Sequence, residues 1–327
     1  MIDIKFYQNI YNIKTLLLEG KITREEAFVS FEATRRKEPV IFNIETTNFC
    51  NMKCKMCPRT TQMTRPIETM SLETFKKIID QVKPWSPSEW KNWLDFVKRN
   101  YKIHSDDMEN DFFLYIIPKV INLHGYGEPL LDKTIYEKVA YMTEHNLQSY
   151  FSSNPYNVTV EKGKKLMDAG LSYFKLSGDS IKLFEKTEDI IKKLISMETH
   201  TTFILDIVDN PKDYVKLQKM FKGYNAYMYQ KSKDNQWYDE AKVEQTSIHW
   251  LEPCQFPWSS MSIMSNGSVV PCTQDFNNEM VMGNVNKQAL KDIWKNVHYH
   301  KFRKNMLTKQ TPCKCIDRCD MKLLGDY

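Results

Sequence analysis

At 327 residues the chain is long enough for a large core plus a smaller second unit. Its formal net charge of +5, from 46 basic and 41 acidic residues mixed along the chain, is too mild and scattered to point to nucleic acid or a membrane surface as partner. No apolar run reaches membrane-spanning length, and residues 1–30 show neither an uninterrupted apolar core nor a small-residue cleavage site, so a cytoplasmic protein is expected.

Residues 1–38 read as a helical extension, with Thr23 and Glu26 spaced as a capping box. "VIFNIETT" (40–47) alternates as a strand and runs straight into a loop holding Cys50, Cys54 and Cys57. "LETFKKIIDQV" is an amphipathic helix, with Phe75, Ile78, Ile79 and Val82 on one face. The aromatic-rich stretch 84–117 is about 30 residues longer than an ordinary strand–helix connection and reads as an inserted helix plus loop. Trp90, Trp93, Leu94 and Val97 form a packing stripe on that helix, so the insertion is expected to be ordered and to border the open end of the sheet.

A regular rhythm follows. "KVINLHG", "LQSYFSS", "SYFKLSGD", "TTFILDIV" and "YNAYMYQ" read as strands two to six, with helices between them, the first opened by a Thr134–Glu137 capping box. Six strands alternating with helices imply a parallel sheet of right-handed crossovers, two strands short of a closed eight-stranded barrel. Chemistry is expected at the carboxyl ends of such strands, where the cysteine loop lies. From about residue 246 the pattern changes to a hairpin, "SIMSNGSVVPC", for which Asn266-Gly267 suggests a type I′ turn. A helix or helix pair and a cysteine-bearing tail complete a small metal-stapled unit.

The eight cysteines segregate: three at 50–57, then none for 196 residues, then Cys254, Cys272, Cys313, Cys315 and Cys319. In a reducing compartment this favours metal ligation over disulfides. The first trio is one ligand short of a closed tetrahedral site, and a zinc site would normally use four ligands in C-x2-C pairs.

C-x3-C-x2-C after a first strand resembles the radical S-adenosylmethionine superfamily. That resemblance implies a partial (β/α)6 TIM-like barrel in which three cysteines ligate a [4Fe–4S] cluster whose fourth iron is open to S-adenosylmethionine. "HGYGEP" (124–129) is similar to the family's Gly-Gly-Glu stretch, assigning Tyr126, Gly127 and Glu128 to the methionine amino group. A carboxylate suits an ammonium, and glycine lets the backbone approach the ligand. The resemblance places Ser153 and Asn154 after strand three, and Ser177 and Asp179 after strand four, near the ribose and carboxylate, and Met56 near the adenine. As residues alone, the strand-end four also read as turn residues. His124, His298 and His300 read as structural histidines.

The five later cysteines resemble the SPASM/twitch auxiliary-cluster domain, which implies a second [4Fe–4S] cluster on Cys254, Cys272 and two of Cys313, Cys315 and Cys319, leaving one thiol over. The implied organisation is a helical extension at 1–38, a radical S-adenosylmethionine core at 39–245 and the auxiliary domain at 246–327. Within the subgroup the chain is similar to 2-deoxy-scyllo-inosamine dehydrogenase-like enzymes. That implies oxidation of an alcohol of a carbohydrate or aminocyclitol, with an electron donor such as flavodoxin or ferredoxin and no nucleic acid or membrane partner. Those enzymes hold the substrate hydroxyl with an arginine after strand six. Here "YMYQKSKDNQW" has none, and Lys231, then Lys233, is the nearest substitute, as hydrogen-bond donor or base. Peptide modification and sugar epimerisation are the alternative reactions.

Overall fold

A computed structural model describes residues 1–54, 57–101, 111–208, 210–231 and 254–308. Helices α1 (Ile4–Leu18) and α2 (Arg24–Thr34) open it. The Thr23–Glu26 capping box forms as expected, with Glu26 N donating to Thr23 Oγ1 at 3.1 Å and Thr23 N to Glu26 Oε2 at 2.8 Å. These helices are no loose extension: Phe6, Ile10, Phe28 and Phe31 share a buried cluster with Trp258 and Leu307 from the far end of the chain.

The six expected strands are present and mutually parallel: β1 Ile41–Ile44, β2 Val120–Asn122, β3 Gln148–Ser153, β4 Tyr173–Gly178, β5 Thr202–Val208 and β6 Ala226–Lys231. Between them lie α3 (Pro58–Thr61), α4 (Leu72–Ile79), α5 (Pro87–Asn100), α6 (Ile135–Glu144), α7 (Val160–Asp168), α8 (Ile181–Glu185), α9 (Glu188–Ile195) and α10 (Pro211–Met220). Alternation along each strand divides two environments. Phe151, Phe174, Leu176, Phe203, Leu205 and Ile207 join the core with Phe75, Ile78, Val139, Leu166, Ile191 and Leu217 of the helices. The intervening residues Ser152, Lys175, Ser177, Tyr229 and Lys231 line a cavity on the other face.

The sheet does not end at the proposed boundary near 246. After α11 (Phe256–Ser259), β7 (Met261–Ile263) pairs parallel with β1, and β8 (Ser268–Val270) and β9 (Gly283–Asn284) extend the same sheet antiparallel, giving the order β6-β5-β4-β3-β2-β1-β7-β8-β9. The expected helix pair follows as α12 (Leu290–Lys295) and α13 (Val297–Leu307).

Three local expectations are corrected. Thr134 makes no capping bond to α6, because Asp132 Oδ1 accepts from both its hydroxyl (2.8 Å) and its N–H (2.9 Å). The β7–β8 turn is not type I′, since Gly267 (φ +81°) alone has positive φ there. Gly267 N donates to Met264 O and Met264 N to Ser268 O, the three-residue loop in which a left-handed glycine follows a type I turn. The insertion does more than border the sheet. Its stripe packs with α1, as Trp93 and Val97 share a cluster with Ile4 and Tyr7 that Trp90 and Leu94 flank. A π-helical turn at Phe112–Ile116 then enters the interior of the partial barrel, where Phe112 stacks on Tyr229 with ring centroids 5.5 Å apart.

Candidate active site

The chain leaves β1 through Glu45, Thr46, Thr47 and Asn48, all buried, and reaches the first cysteines. Arg59 closes the loop on itself, donating from Nε to Asn48 O at 2.9 Å, while Cys57 N donates to Cys54 O at 3.1 Å. Cys50, Cys54 and Cys57 are all partly buried, and burial pushes each thiol above its usual range. For Cys54, the neighbours Cys57, Asp179 and Cys50 add to the upward shift. Such thiols ionise when a metal takes the proton's place. Among the described residues no three Cys, His, Asp or Glu side chains close on one ion. A multi-iron cluster instead distributes its thiolates over separate irons. Met56 lies outside the described residues.

The "GYGEP" stretch docks on this loop through Glu128 N, which donates to Phe49 O at 2.8 Å. Gly127 is required by the chain's own packing: a Cβ there would lie 2.1 Å from Thr47 O. Tyr126 lines the cavity inside the barrel and reaches the chain after Cys272, its hydroxyl donating to Thr273 O at 2.7 Å. Glu128 is 3% exposed and gathers the strand-three residues. Ser153 Oγ donates to its Oε1 at 2.8 Å, and Asn154 donates to Oε2 from Nδ2 at 2.9 Å and from its backbone at 3.2 Å. Burial raises the Glu128 carboxyl, and these donors only partly offset it. Asn154 Oδ1 is buried with no partner among the described residues. A buried carboxylate beside an orphaned carbonyl oxygen fits an ammonium ligand. Ser177 lies at the carboxyl end of β4, and Asp179, just beyond it, is exposed near Cys54.

Inside the barrel is a cavity of about 190 Å³. Phe42, Phe112, Phe113 and Tyr150 give it an aromatic side; Asn43, His124, Ser152, Lys175 and Lys231 give it a polar one. Thr273 and Gln274, which follow Cys272, complete the wall. Lys175 Nζ donates to Tyr229 Oη at 2.6 Å and pairs with Asp206 Oδ2 at 3.0 Å. Asn43 is 1% exposed and its Oδ1 has no partner among the described residues. His124 Nδ1 accepts from Ser152 N at 3.1 Å, which places the ring proton on Nε2. Burial, then Lys175 and Lys231, lower its pKa to about 3, so the ring stays neutral. Lys231 ends β6 in register with Val208 and faces the same cavity. Sequence reasoning missed Lys175, Asp206 and Asn43; the available signal was a charged or amide side chain on the alternating face of an otherwise apolar strand.

On the other flank, Cys254 precedes α11 and Cys272 follows β8, with Gln274 N donating to Cys272 Sγ at 3.5 Å. Cys313, Cys315, Cys319 and Lys233 lie outside the described residues. His300 sits on the surface, 3.6 Å from Glu32.

The iron–sulfur cluster-binding domain family SPASM matches residues 254–320. The fold is similar to that of an S-adenosylmethionine-bound enzyme, and the SPASM match lies at its C-terminal end. The chain is 24% identical over 266 residues, 81% of this chain and 85% of the relative, to the S-adenosyl-L-methionine-dependent 2-deoxy-scyllo-inosamine dehydrogenase of Niallia circulans. In structure it is similar to Streptococcus suis SuiB bound to S-adenosylmethionine, at TM-score 0.53 and 11% identity, covering 91% of this chain and 78% of that one. BtrN in complex with AdoMet and 2-DOIA aligns at TM-score 0.49 and 19% identity, covering 82% and 88%.

Proposed function

We propose that the protein is a radical S-adenosylmethionine oxidoreductase that oxidises one alcohol carbon of a carbohydrate or aminocyclitol to a ketone. The observation that carries this reading is the position of the polar-sided cavity, which is bounded by the "GYGEP" loop on one side and by Thr273 and Gln274, beside Cys272, on the other. The relative's aminocyclitol substrate supports the same class.

Cys50, Cys54 and Cys57 hold one [4Fe–4S] cluster, and Cys254 and Cys272 with two of Cys313, Cys315 and Cys319 hold the other. When bound, the first cluster with S-adenosylmethionine supplies a 5′-deoxyadenosyl radical for hydrogen abstraction, and the second accepts the remaining electron. Glu128 and Asn154 Oδ1 receive the cofactor's ammonium, with Ser153 fixing the Glu128 rotamer. Ser177 and Asp179 face its ribose and carboxylate, Tyr126 and Gly127 shape the loop beneath it, and Met56 takes the adenine side.

Lys175 is the cation that meets the substrate hydroxyl in the interior. Asp206 lies behind it as proton acceptor: a Lys175 proton moves to Oδ2 as the hydroxyl proton replaces it, leaving the ammonium intact and the carboxyl neutral. Lys231, nearer the strand ends, orients a second ring oxygen or the same one. His124 Nε2–H is a donor and not a base, because its ring does not take a proton near neutral pH. Phe42, Phe112 and Phe113 exclude water from the reacting carbon. The electron donor is a small reductant such as flavodoxin or ferredoxin, and the compartment is the reducing cytoplasm, where cysteines serve as metal ligands rather than in disulfides.

The test is anaerobic incubation of the reduced protein, loaded with both clusters, with S-adenosylmethionine and a panel including 2-deoxy-scyllo-inosamine. Ketone and 5′-deoxyadenosine forming together without nicotinamide supports the reading. Cofactor cleavage with no carbohydrate or cyclitol oxidised counts against it.

A further inference from the structure

Arg65, eight residues after Cys57, divides its guanidinium among three segments. Nε donates to Phe276 O at 2.6 Å, beyond Cys272. Nη1 donates to Ser265 Oγ in the β7–β8 turn at 3.2 Å, and Nη2 pairs with Glu45 Oε2 at 2.5 Å. Glu45 is fully buried and Arg65 6% exposed in this pair. Glu45 in turn accepts from Ser265 N through Oε1 (3.2 Å) and from Tyr126 N through Oε2 (3.1 Å). Thr64 N donates to Asn277 Oδ1, and Asn277 Nδ2 to Gln62 O, so the joint continues along both cysteine loops. There is little room to shift, since a Cβ on Gly125 would lie 2.7 Å from Glu45 Oε2.

A buried ion pair is a poor way to add stability, because apolar residues of the same volume often serve as well. What a planar, five-donor fork adds is geometry, fixing several acceptors at once where a lysine fixes one. The acceptors here are the exit of β1, the hairpin turn and the chain after Cys272, while the backbone that carries the fork descends from Cys57.

We propose that the Arg65–Glu45 pair is a positioning device that fixes the separation and orientation of the two iron–sulfur sites, and so the path by which the substrate's second electron leaves. This rests on the reading that both cysteine sets hold clusters. Arg65 and Glu45 act through the two loops and touch neither cluster nor substrate. Electron transfer between two centres falls steeply with their separation, so a loosened joint slows that step while leaving each cluster in place.

The experiment measures dipolar coupling between the two reduced clusters by pulsed electron paramagnetic resonance in wild type, Arg65→Met, Arg65→Lys and Glu45→Gln. Wild type is expected to give one narrow distance. Arg65→Met and Glu45→Gln lose it while retaining the wild-type iron count, and Arg65→Lys restores it only in part. A narrow, unshifted distance in Arg65→Met, or in Arg65→Lys should the methionine variant not fold, overturns the proposal. A second arm uses metal-free protein. The amides of Tyr126, Ser265 and Thr64 are expected to exchange slowly in wild type and to lose protection together in Arg65→Lys. Independent exchange of the three overturns the clasp. A wild type with one cluster overturns the two-cluster reading instead, and the amide arm still decides whether Arg65 joins the loops.

Discussion

Lys175 Nζ lies 3.0 Å from Asp206 Oδ2, an ion pair between neighbouring strands on the inner face of the sheet. Lys175 is 6% exposed and Asp206 fully buried, and the Asp206 oxygens accept no hydrogen bond among the described residues beyond this contact. A buried carboxylate ordinarily accepts several hydrogen bonds. Asp206 therefore keeps acceptor capacity behind Lys175, which lines the cavity, and a proton-transfer role would use it.

Removing one partner strands a buried charge, so Lys175→Met alone is expected to destabilise the fold by about 3–5 kcal/mol. Lys175→Met with Asp206→Leu removes both charges and is expected to recover most of that loss. The double variant should still bind clusters and cleave S-adenosylmethionine, yet form no ketone. Denaturant unfolding beside product assays checks this. Recovery of product formation in the double variant would show that the pair only holds strands together.

His124 gives a pH-dependent term. Its pKa falls from an ordinary 6.5 to about 3 through burial, with Lys175 and Lys231 adding to the shift. The folded protein thus refuses a proton that the unfolded chain accepts. The favourable contribution is complete above pH 6.5 and is lost as pH falls toward 3, with a slope of up to about 1.4 kcal/mol per pH unit. His124→Phe is expected to flatten stability across that window in urea titrations. An unchanged slope would mean that the ring protonates freely in the fold.

Glu128→Gln is expected to weaken S-adenosylmethionine binding by about 10–100-fold, the range for losing a charge-assisted hydrogen bond. Calorimetry on cluster-loaded protein reads this directly. The same substitution should leave iron content unchanged, since Glu128 holds no thiolate.

How much of this was legible follows from particular residues. Hydrophobic alternation exposed β3 to β5, because Phe151, Phe174, Leu176 and Phe203 face helices and must be apolar. The Thr23–Glu26 box was readable because no competitor lies nearby, whereas Asp132 sits two residues before Thr134 and captures its hydroxyl. The contact between the cysteine loop and "GYGEP" was legible only in part: the glycine marks a close backbone approach, and the structure shows that its neighbour is Thr47 O. Lys175 and Asp206 were not, since their pairing depends on strand register between segments about 30 residues apart. The continuity of β1 with β7 was hidden for the same reason: nothing local in "MSI" names a partner more than 200 residues earlier.

Replacing Cys50, Cys54 and Cys57 together with alanine is expected to remove about four irons, the content of one cubane cluster, and to abolish cofactor cleavage. The SPASM cluster should remain. Lys231→Ala is expected to keep both clusters and slow ketone formation by about a hundredfold if it serves the reacting hydroxyl. Normal turnover would place Lys231 outside the chemistry.

The most direct measurement follows one hydrogen. The substrate found in the panel is prepared with deuterium on the carbon to be oxidised and given to reduced, cluster-loaded protein with S-adenosylmethionine. The account predicts deuterium in 5′-deoxyadenosine and a ketone lighter than the unlabelled alcohol by two hydrogens, formed one for one. Deuterium returned to a product of unchanged mass, or a product with inverted configuration at that carbon, would contradict oxidation and identify an isomerase or epimerase.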